Sequence, residues 1–149
     1  MQIEGKFTVN VSVDKVWDAL QDVDTVAACI PGVEGKTKKV GDDTFENVII
    51  QRVAFLKVKF NTSTTITLRE PKSHMAIVCD GKDTMIGTSM NVKADLYLKE
   101  VSPSETEVSY IADARIVGKL ATFGEGVMRK KSKEVGEEVA KNLRAKIEK

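Results

Sequence analysis

Few side chains in this sequence are able to do chemistry, and their spacing limits what that chemistry can be. His74 is the only histidine, and it follows Pro71-Lys72-Ser73, a composition that favours a surface turn. A metal centre needs further ligands at set spacings, and no such motif accompanies it. A serine triad would have to use this one imidazole, and the nucleophile-elbow motif is missing. Gly32, Gly35 and Gly41 make no phosphate-binding fingerprint. Asp22 and Asp24, like Asp42 and Asp43, stand at element ends, where Asp caps helices and closes turns. They read as caps and turns rather than as paired catalytic carboxylates. Cys29 and Cys79 have no local pairing motif and read as free thiols that behave as small apolar residues; one disulfide between them is the alternative. No catalytic residue and no metal ligand is assigned.

The hydroxyls are more informative. Thr62, Thr64, Thr88 and Tyr110 share the parity of the apolar residues in their segments, so they point to the same side. A buried hydroxyl without a partner is costly. Backbone, internal water or the polar group of a ligand can each satisfy it. Two readings stay open: threonine as an ordinary strand former beside a filled core, or a few polar points in a mostly apolar pocket. The second reading gives a candidate ligand site. Its expected apolar lining is Leu56, Val58, Phe60, Met90, Val92, Leu120, Phe123, Val127 and Met128, with Ile30 and Val33 near the mouth. Thr62, Thr88 and Tyr110 supply its polar points. Phe123, beside Gly124 and Gly126, is the candidate gate. Trp17 reads as the anchor of a short helix, and Lys131 either snorkels to solvent or meets an acidic ligand group.

The elements that must position these residues follow from periodicity. Ile3, Phe7, Val9, Val11 and Val13 alternate with polar residues, which predicts a half-buried strand. Asp14 opens a segment with Val16, Trp17, Ala19 and Leu20 at helical spacing. Asp22 or Asp24 caps a second short helix, which Pro31-Gly32 stops. A weak polar strand over 33–40 and a turn at Gly41-Asp42-Asp43 come next, then a strand over 45–52. Leu56, Val58, Phe60, Thr62, Thr64, Ile66 and Leu68 form one long row, and a strand of that length is expected to bend. A strand at Met75–Asp80, a row from Ile86 to Leu98 and a row from Val108 to Ile116 complete an antiparallel meander with short turns. Leu120, Phe123, Val127, Met128, Val135, Val139, Leu143 and Ile147 mark an amphipathic terminal helix within about thirty residues. Gly124, Gly126 and Gly136 predict a bend or a late start near Gly126. The expectation is one α+β domain over 1–149: a curved sheet of about seven strands around a long helix, with a hollow between them.

Composition narrows the function. The 149 residues carry 23 basic and 22 acidic side chains and 5% aromatics, so neither a phosphate-binding charge excess nor a base-stacking platform is present, and nucleic acid is not an expected partner. The first thirteen residues lack the continuous apolar core of a signal peptide, and no stretch approaches a membrane span. The expected compartment is the cytoplasm. Arg129 to Lys149 holds eight basic and four acidic residues. That segment reads as a solvated helix face, or as a weak docking surface for acidic lipid headgroups with the protein peripheral at the membrane.

Two segments carry a resemblance. Cys29-Ile30-Pro31-Gly32-Val33-Glu34 follows the helix pair, and Asp113-Ala114-Arg115-Ile116-Val117-Gly118-Lys119-Leu120-Ala121 leads into Phe123-Gly124. Together they resemble the CoxG family of carbon monoxide dehydrogenase subunits, over nearly the whole chain, and the element order resembles the helix-grip fold of the START and polyketide-cyclase superfamily. The resemblance implies a non-catalytic accessory protein with no intrinsic cofactor. Its hydrophobic cavity would hold a quinone or lipid-like molecule. Its partner would be an aerobic-type carbon monoxide dehydrogenase or a related molybdenum hydroxylase, with membrane recruitment as a further family role. The alternatives are a cyclase- or hydratase-type enzyme of the same superfamily, and an adaptor whose cavity is incidental.

Overall fold

In the computed structural model, which describes residues 1–148, the chain runs β1 (Gln2–Val9), α1 (Val13–Gln21), α2 (Val23–Cys29), β2 (Val33–Lys39), β3 (Thr44–Val53), β4 (Leu56–Glu70), β5 (His74–Asp83), β6 (Thr88–Ser102) and β7 (Glu105–Gly118), then a 3-10 turn (Lys119–Phe123) and α3 (Glu125–Ile147). Lys149, which belongs to the basic excess of the last segment, lies outside the described residues. The strands form one antiparallel sheet in the order β1-β7-β6-β5-β4-β3-β2. From β2 to β7 this is the expected meander. β1 completes it by pairing with β7, from Gln2 opposite Asp113 to Val9 opposite Thr106. The result is the helix-grip arrangement. Among the described residues no helix is long and apolar enough to cross a membrane.

Local chemistry sets the element ends. Ser12, not Asp14, caps α1: its hydroxyl accepts from the Lys15 amide at 3.2 Å, which leaves Asp14 in the first turn, where a negative charge suits the helix dipole. Asp22 caps α2 by accepting from the Asp24 amide at 3.1 Å. In β4 the row Leu56 to Ile66 faces the concave side as the alternation requires. Leu68 does not. A bulge between Ile66 and Leu68 inserts one residue and flips the parity beyond it, so Leu68 is 40% exposed and Arg69 stands opposite Met75. Ile86 lies outside its strand, because β6 begins only at Thr88, but it stays half-buried and packs inward against Val58, Phe60 and Leu120 as its row requires.

The terminal segment starts its α-helix late. Gly118 at φ 91° and Gly124 at φ 90° bracket the 3-10 turn, a backbone region costly for any residue with a Cβ. A Cβ on Gly118 would also collide with the Gly87 carbonyl, so β7 can end against the β5–β6 turn only with glycine there. The two breaks drop Leu120 onto the sheet, where it is 2% exposed. α3 then crosses the sheet and meets the free side of β1. Arg129 Nη1 donates to the Gln2 carbonyl at 2.7 Å, and Arg144 Nε donates to the Thr8 carbonyl at 2.9 Å. Asn142 Nδ2 donates to the Cys29 carbonyl at 2.9 Å and ties α3 to the end of α2.

His74 opens β5 on the convex face. Its ring stacks on Tyr97 with centroids 4.4 Å apart, between Asp95 (Nε2 to Oδ1, 2.7 Å) and Glu70 (Nδ1 to Oε1, 3.0 Å). The bond to Asp95, then that to Glu70, raises its pKa above the ordinary histidine value.

Both the glycine break and the histidine pair have measurable outcomes. Gly118→Ala is expected to cost about 1–3 kcal/mol, a fall in Tm of about 2–4 °C per kcal/mol for a domain of this size, read by thermal denaturation. His74 is more basic folded than unfolded, so its contribution is fully present below the unfolded pKa of about 6.5 and is lost as pH rises through the raised folded value. His74→Gln should therefore lower Tm more at pH 5.5 than at pH 8.5; an equal loss at both would remove the ion-pair account.

Candidate functional site

The concave face carries two packed clusters, one at each end. Val9, Val16, Trp17, Leu98, Val108 and Leu143 centre the first, under α1 and the second half of α3. Val53, Val58, Phe60, Leu120 and Met128 form the second, with Leu56, Met90 and Phe123 packed against it. This second cluster holds most of the residues expected to line a hollow. They fill it instead. The physical reason is the glycine-bracketed turn, which sends Leu120 down onto Val58 and Phe60 and starts α3 close enough for Met128 to follow.

The apolar cavity lies elsewhere, between the short helices and the middle of the sheet. It encloses about 160 Å³. Leu20, Val23 and Val26 form its roof, and Ile66, Met75, Ile77 and Leu96 its floor, with Phe45 and Ala94 at the sides. Its polar points are Thr64 and Tyr110. Asp95 touches the wall, but its carboxylate is engaged by His74 on the convex face. Thr64 stands opposite Cys79 across β4 and β5. Burial pushes the Cys79 thiol up, and the Thr64 hydroxyl partly offsets this. Both cysteines are free thiols.

Of the expected site residues, only Tyr110 borders this cavity. The Thr62 hydroxyl donates to the Asn47 carbonyl at 3.0 Å, and the Thr88 hydroxyl to the Val117 carbonyl at 2.8 Å. Thr88 also accepts from the Leu120 amide at 3.4 Å. Both are spent on backbone, so the strand-former reading holds for them. Ile30 and Val33 border a separate open depression with Ala27, Ala28 and Gly32, on the outer side of α2. Val127 is 39% exposed on the first turns of α3. Val92 faces inward and is half-buried. Phe123 is half-buried and meets Phe55 edge-on, with centroids 5.5 Å apart.

Tyr110 has a second neighbourhood. Its ring crosses the backbone of Gly5 on β1, and its hydroxyl lies where a Cβ on Gly136 of α3 would fall, 2.5 Å away. Both glycines are needed for that passage. On its far side lies an open groove between β1 and α3, bordered by Phe7, Lys133 and Arg144. The phenol thus separates the inner cavity from an outer groove. Burial, then the nearby Glu137, raises its pKa.

The sequence did carry a signal for the roof that pattern reading passed over. Leu20, Val23 and Val26 recur every three residues across the junction of the two short helices, which keeps an apolar stripe facing the sheet through the Asp22 break. Among the described residues no group of three or more His, Cys, Asp or Glu is placed to hold a metal ion.

Comparison with known proteins agrees with this architecture. The chain is similar to a conserved protein from Geobacillus kaustophilus, with a TM-score of 0.90 and 21% identity, covering 99% of this chain and 95% of that one. A START superfamily protein from Mycobacterium smegmatis follows at TM-score 0.74 and 12% identity, covering 99% and 97%. The Zhui aromatase/cyclase from Streptomyces sp. R1128 superposes at TM-score 0.64 and 16% identity, covering 99% and 93%. At these identities the likeness establishes the fold. No curated protein matched the sequence. The family model of the carbon monoxide dehydrogenase subunit CoxG matches residues 5–148. With that match running from β1 to beyond the end of α3 on a START-like fold, the chain belongs to the CoxG family of carbon monoxide dehydrogenase subunits.

Proposed function

We propose that this protein is a non-catalytic accessory protein that takes up an apolar small molecule, quinone-like or lipid-like, for a carbon monoxide dehydrogenase or related molybdenum hydroxylase. The observation that carries the ligand part is the cavity of about 160 Å³ roofed by Leu20, Val23 and Val26, whose polar points are a threonine and a tyrosine. The partner part is supported by the family alone.

Magnitudes say what kind of ligand suits it. An apolar cavity of roughly 150 Å³ holds one benzene-sized ring. Burying ~150 Å² of such a ring at ~25 cal/mol per Å² gives about 4 kcal/mol, a millimolar Kd on its own. A ring alone is too weak. A tail that buries about five methylenes at ~0.8 kcal/mol each brings the complex to micromolar. Val92 and Ala112 are inward-facing and half-buried, so apolar surface continues beyond the cavity for such a tail. A ring with one or two oxygens, directed at Thr64 and Tyr110 and carrying an alkyl or isoprenoid tail, fits these terms.

The second reading is a cyclase-type enzyme. It is favoured by the Tyr110 phenol at the cavity wall and by the structural likeness to an aromatase/cyclase. Trp17 is the only tryptophan and belongs to the cluster beside the cavity, so a quinone should quench its fluorescence. Titration with decylubiquinone is expected to saturate in the micromolar range. Ala94→Leu, which fills the cavity, should weaken binding at least tenfold while the circular dichroism spectrum stays unchanged. Unaltered quenching in Ala94→Leu would remove the cavity from the proposal. Tyr110→Phe should weaken binding a few-fold; loss of turnover on an aromatic polyketide substrate with binding intact would instead establish the enzyme.

A further inference from the structure

We propose that the seam between β1 and α3 is the passage by which a ligand reaches the inner cavity and the seat of that ligand's tail, with the Tyr110 side chain as its door. The inference deepens the ligand reading and rests on it.

The seam is tied at both ends and open in the middle. Arg129, bonded to the Gln2 carbonyl, marks one end, and Arg144, bonded to the Thr8 carbonyl, marks the other. Residues 129 and 144 lie about 22 Å apart along a helix axis at 1.5 Å per residue. Residues 2 and 8 lie about 20 Å apart along a strand at about 3.3 Å per residue. The two elements therefore run side by side between the ties. Gly5 stands midway between Gln2 and Thr8, and Gly136 stands near the midpoint between Arg129 and Arg144. The two residues without side chains thus meet at the centre of the seam, where the Tyr110 hydroxyl lies between them. Outside is the groove, of about 530 Å³, and inside is the cavity, of about 160 Å³. Tyr110 alone among the described residues borders both.

Three observations make this side chain a door rather than a filler. Its hydroxyl makes no hydrogen bond among the described residues, so nothing polar fixes the ring in place. Open space on either side gives the ring room to turn without displacing a packed neighbour. Glycine is unfavourable inside strands and helices, and a seam meant only to be filled is better made from alanines and a smaller residue at position 110. The ties at Arg129 and Arg144 also mean that α3 need not lift, since a single side-chain rotation opens the way.

The sheet supplies a floor for the passage. Ala94, in the cavity wall, stands opposite Ala112, and Ala112 stands opposite Ile3, in the groove. The adjacent row is Leu96, Tyr110 and Gly5. Beyond it, Leu98 and Val108 are buried in the first cluster with Phe7 packed against them, so the passage does not extend to that side. Low side chains leading from cavity to groove under α3 suit a ligand with a planar ring followed by a slender tail. The ring passes Tyr110 into the cavity, and the tail runs over Ala112 to Ile3 and Ala140 in the groove. Phe123, the gate expected from the sequence, borders neither compartment.

The test is stopped-flow measurement of Trp17 quenching by decylubiquinone, read as association and dissociation rates. Tyr110→Ala, which removes the door, should raise both rates at least tenfold. Tyr110→Phe combined with Gly136→Ala should lower both at least tenfold relative to Tyr110→Phe alone. A Cβ at position 136 would lie 3.6 Å from the ring carbon that bears the hydroxyl, so without that hydroxyl the methyl packs against the ring and wedges it shut. Circular dichroism should show these variants folded, and the double variant decides the matter should Tyr110→Ala not fold. The proposal fails if either folded seam variant keeps its reference rates, the result expected if ligands enter by lifting the helical roof. Equilibrium amplitudes separate this failure from that of the ligand reading. Where wild-type protein shows no saturable quenching, the ligand reading fails, and the same tenfold changes are then expected for fluorobenzene, which needs only the apolar space of one ring, in 19F exchange spectra. Exclusion of fluorobenzene as well would overturn both.

Discussion

A single helix is too narrow for the sheet it must cover, and the rest of the structure answers that mismatch. Seven strands at about 4.8 Å spacing make a face roughly 30 Å wide, whereas a helix with its side chains is about 10–12 Å across. Curvature brings the sheet edges toward α3 but cannot close the gap. The chain supplies further cover in two pieces: α1 and α2 at one end, and the 3-10 turn at the other. Each piece has its own apolar cluster beneath it. The cavity lies where cover from the short helices is thin, against the middle of the sheet. It is a consequence of covering a wide surface with narrow parts.

The two ends meet the mismatch differently because their local chemistry differs. At the turn-bearing end, Gly118 and Gly124 give the backbone two changes of direction, and Leu120 and Met128 fill the space directly. Thr88 reinforces that end, since its hydroxyl joins the Val117 carbonyl to the Leu120 amide. At the other end the cover is a helix pair broken at Asp22, and its roof residues are mid-sized aliphatics rather than aromatics. Side chains of that size leave space above the floor of Ile66, Met75, Ile77 and Leu96. Helices as short as α1 and α2 owe their stability to the surface beneath them rather than to their own propensity, so the roof is the natural place for adjustment.

Much of this was legible in the sequence, and the failures have identifiable causes. Alternation in Leu56 to Ile66, Thr88 to Leu98 and Val108 to Ile116 assigned the faces correctly, because period two leaves only two choices. The bulge before Leu68 was not legible, since one inserted residue leaves the composition unchanged. Pairing of β1 with β7 joins residues more than ninety positions apart in the chain, and no local pattern encodes it. The candidate site suffered most. Parity tells which side of the sheet a residue faces, but not whether another side chain arrives to fill the space above it. Val58, Phe60, Leu120 and Met128 do face inward, and they fill one another's space. Exposure at Phe55 and Met85 was hidden for the converse reason: apolar residues in turns look like ordinary strand ends until the neighbouring elements are in place.

The arginines that reach from α3 to β1 have a consequence for how these molecules live alongside one another. A sheet whose outermost strand leaves carbonyls unpaired offers a template on which a neighbour can build, and that route leads to fibres. Arg129 and Arg144 occupy two of those acceptors, at Gln2 and Thr8, with bulky charged groups. At the other border, β2 is short and carries Lys36, Lys38 and Lys39, which repel a matching strand. Both margins of the antiparallel surface are thus guarded by cations, which disfavours the addition of a neighbour's strand at either edge.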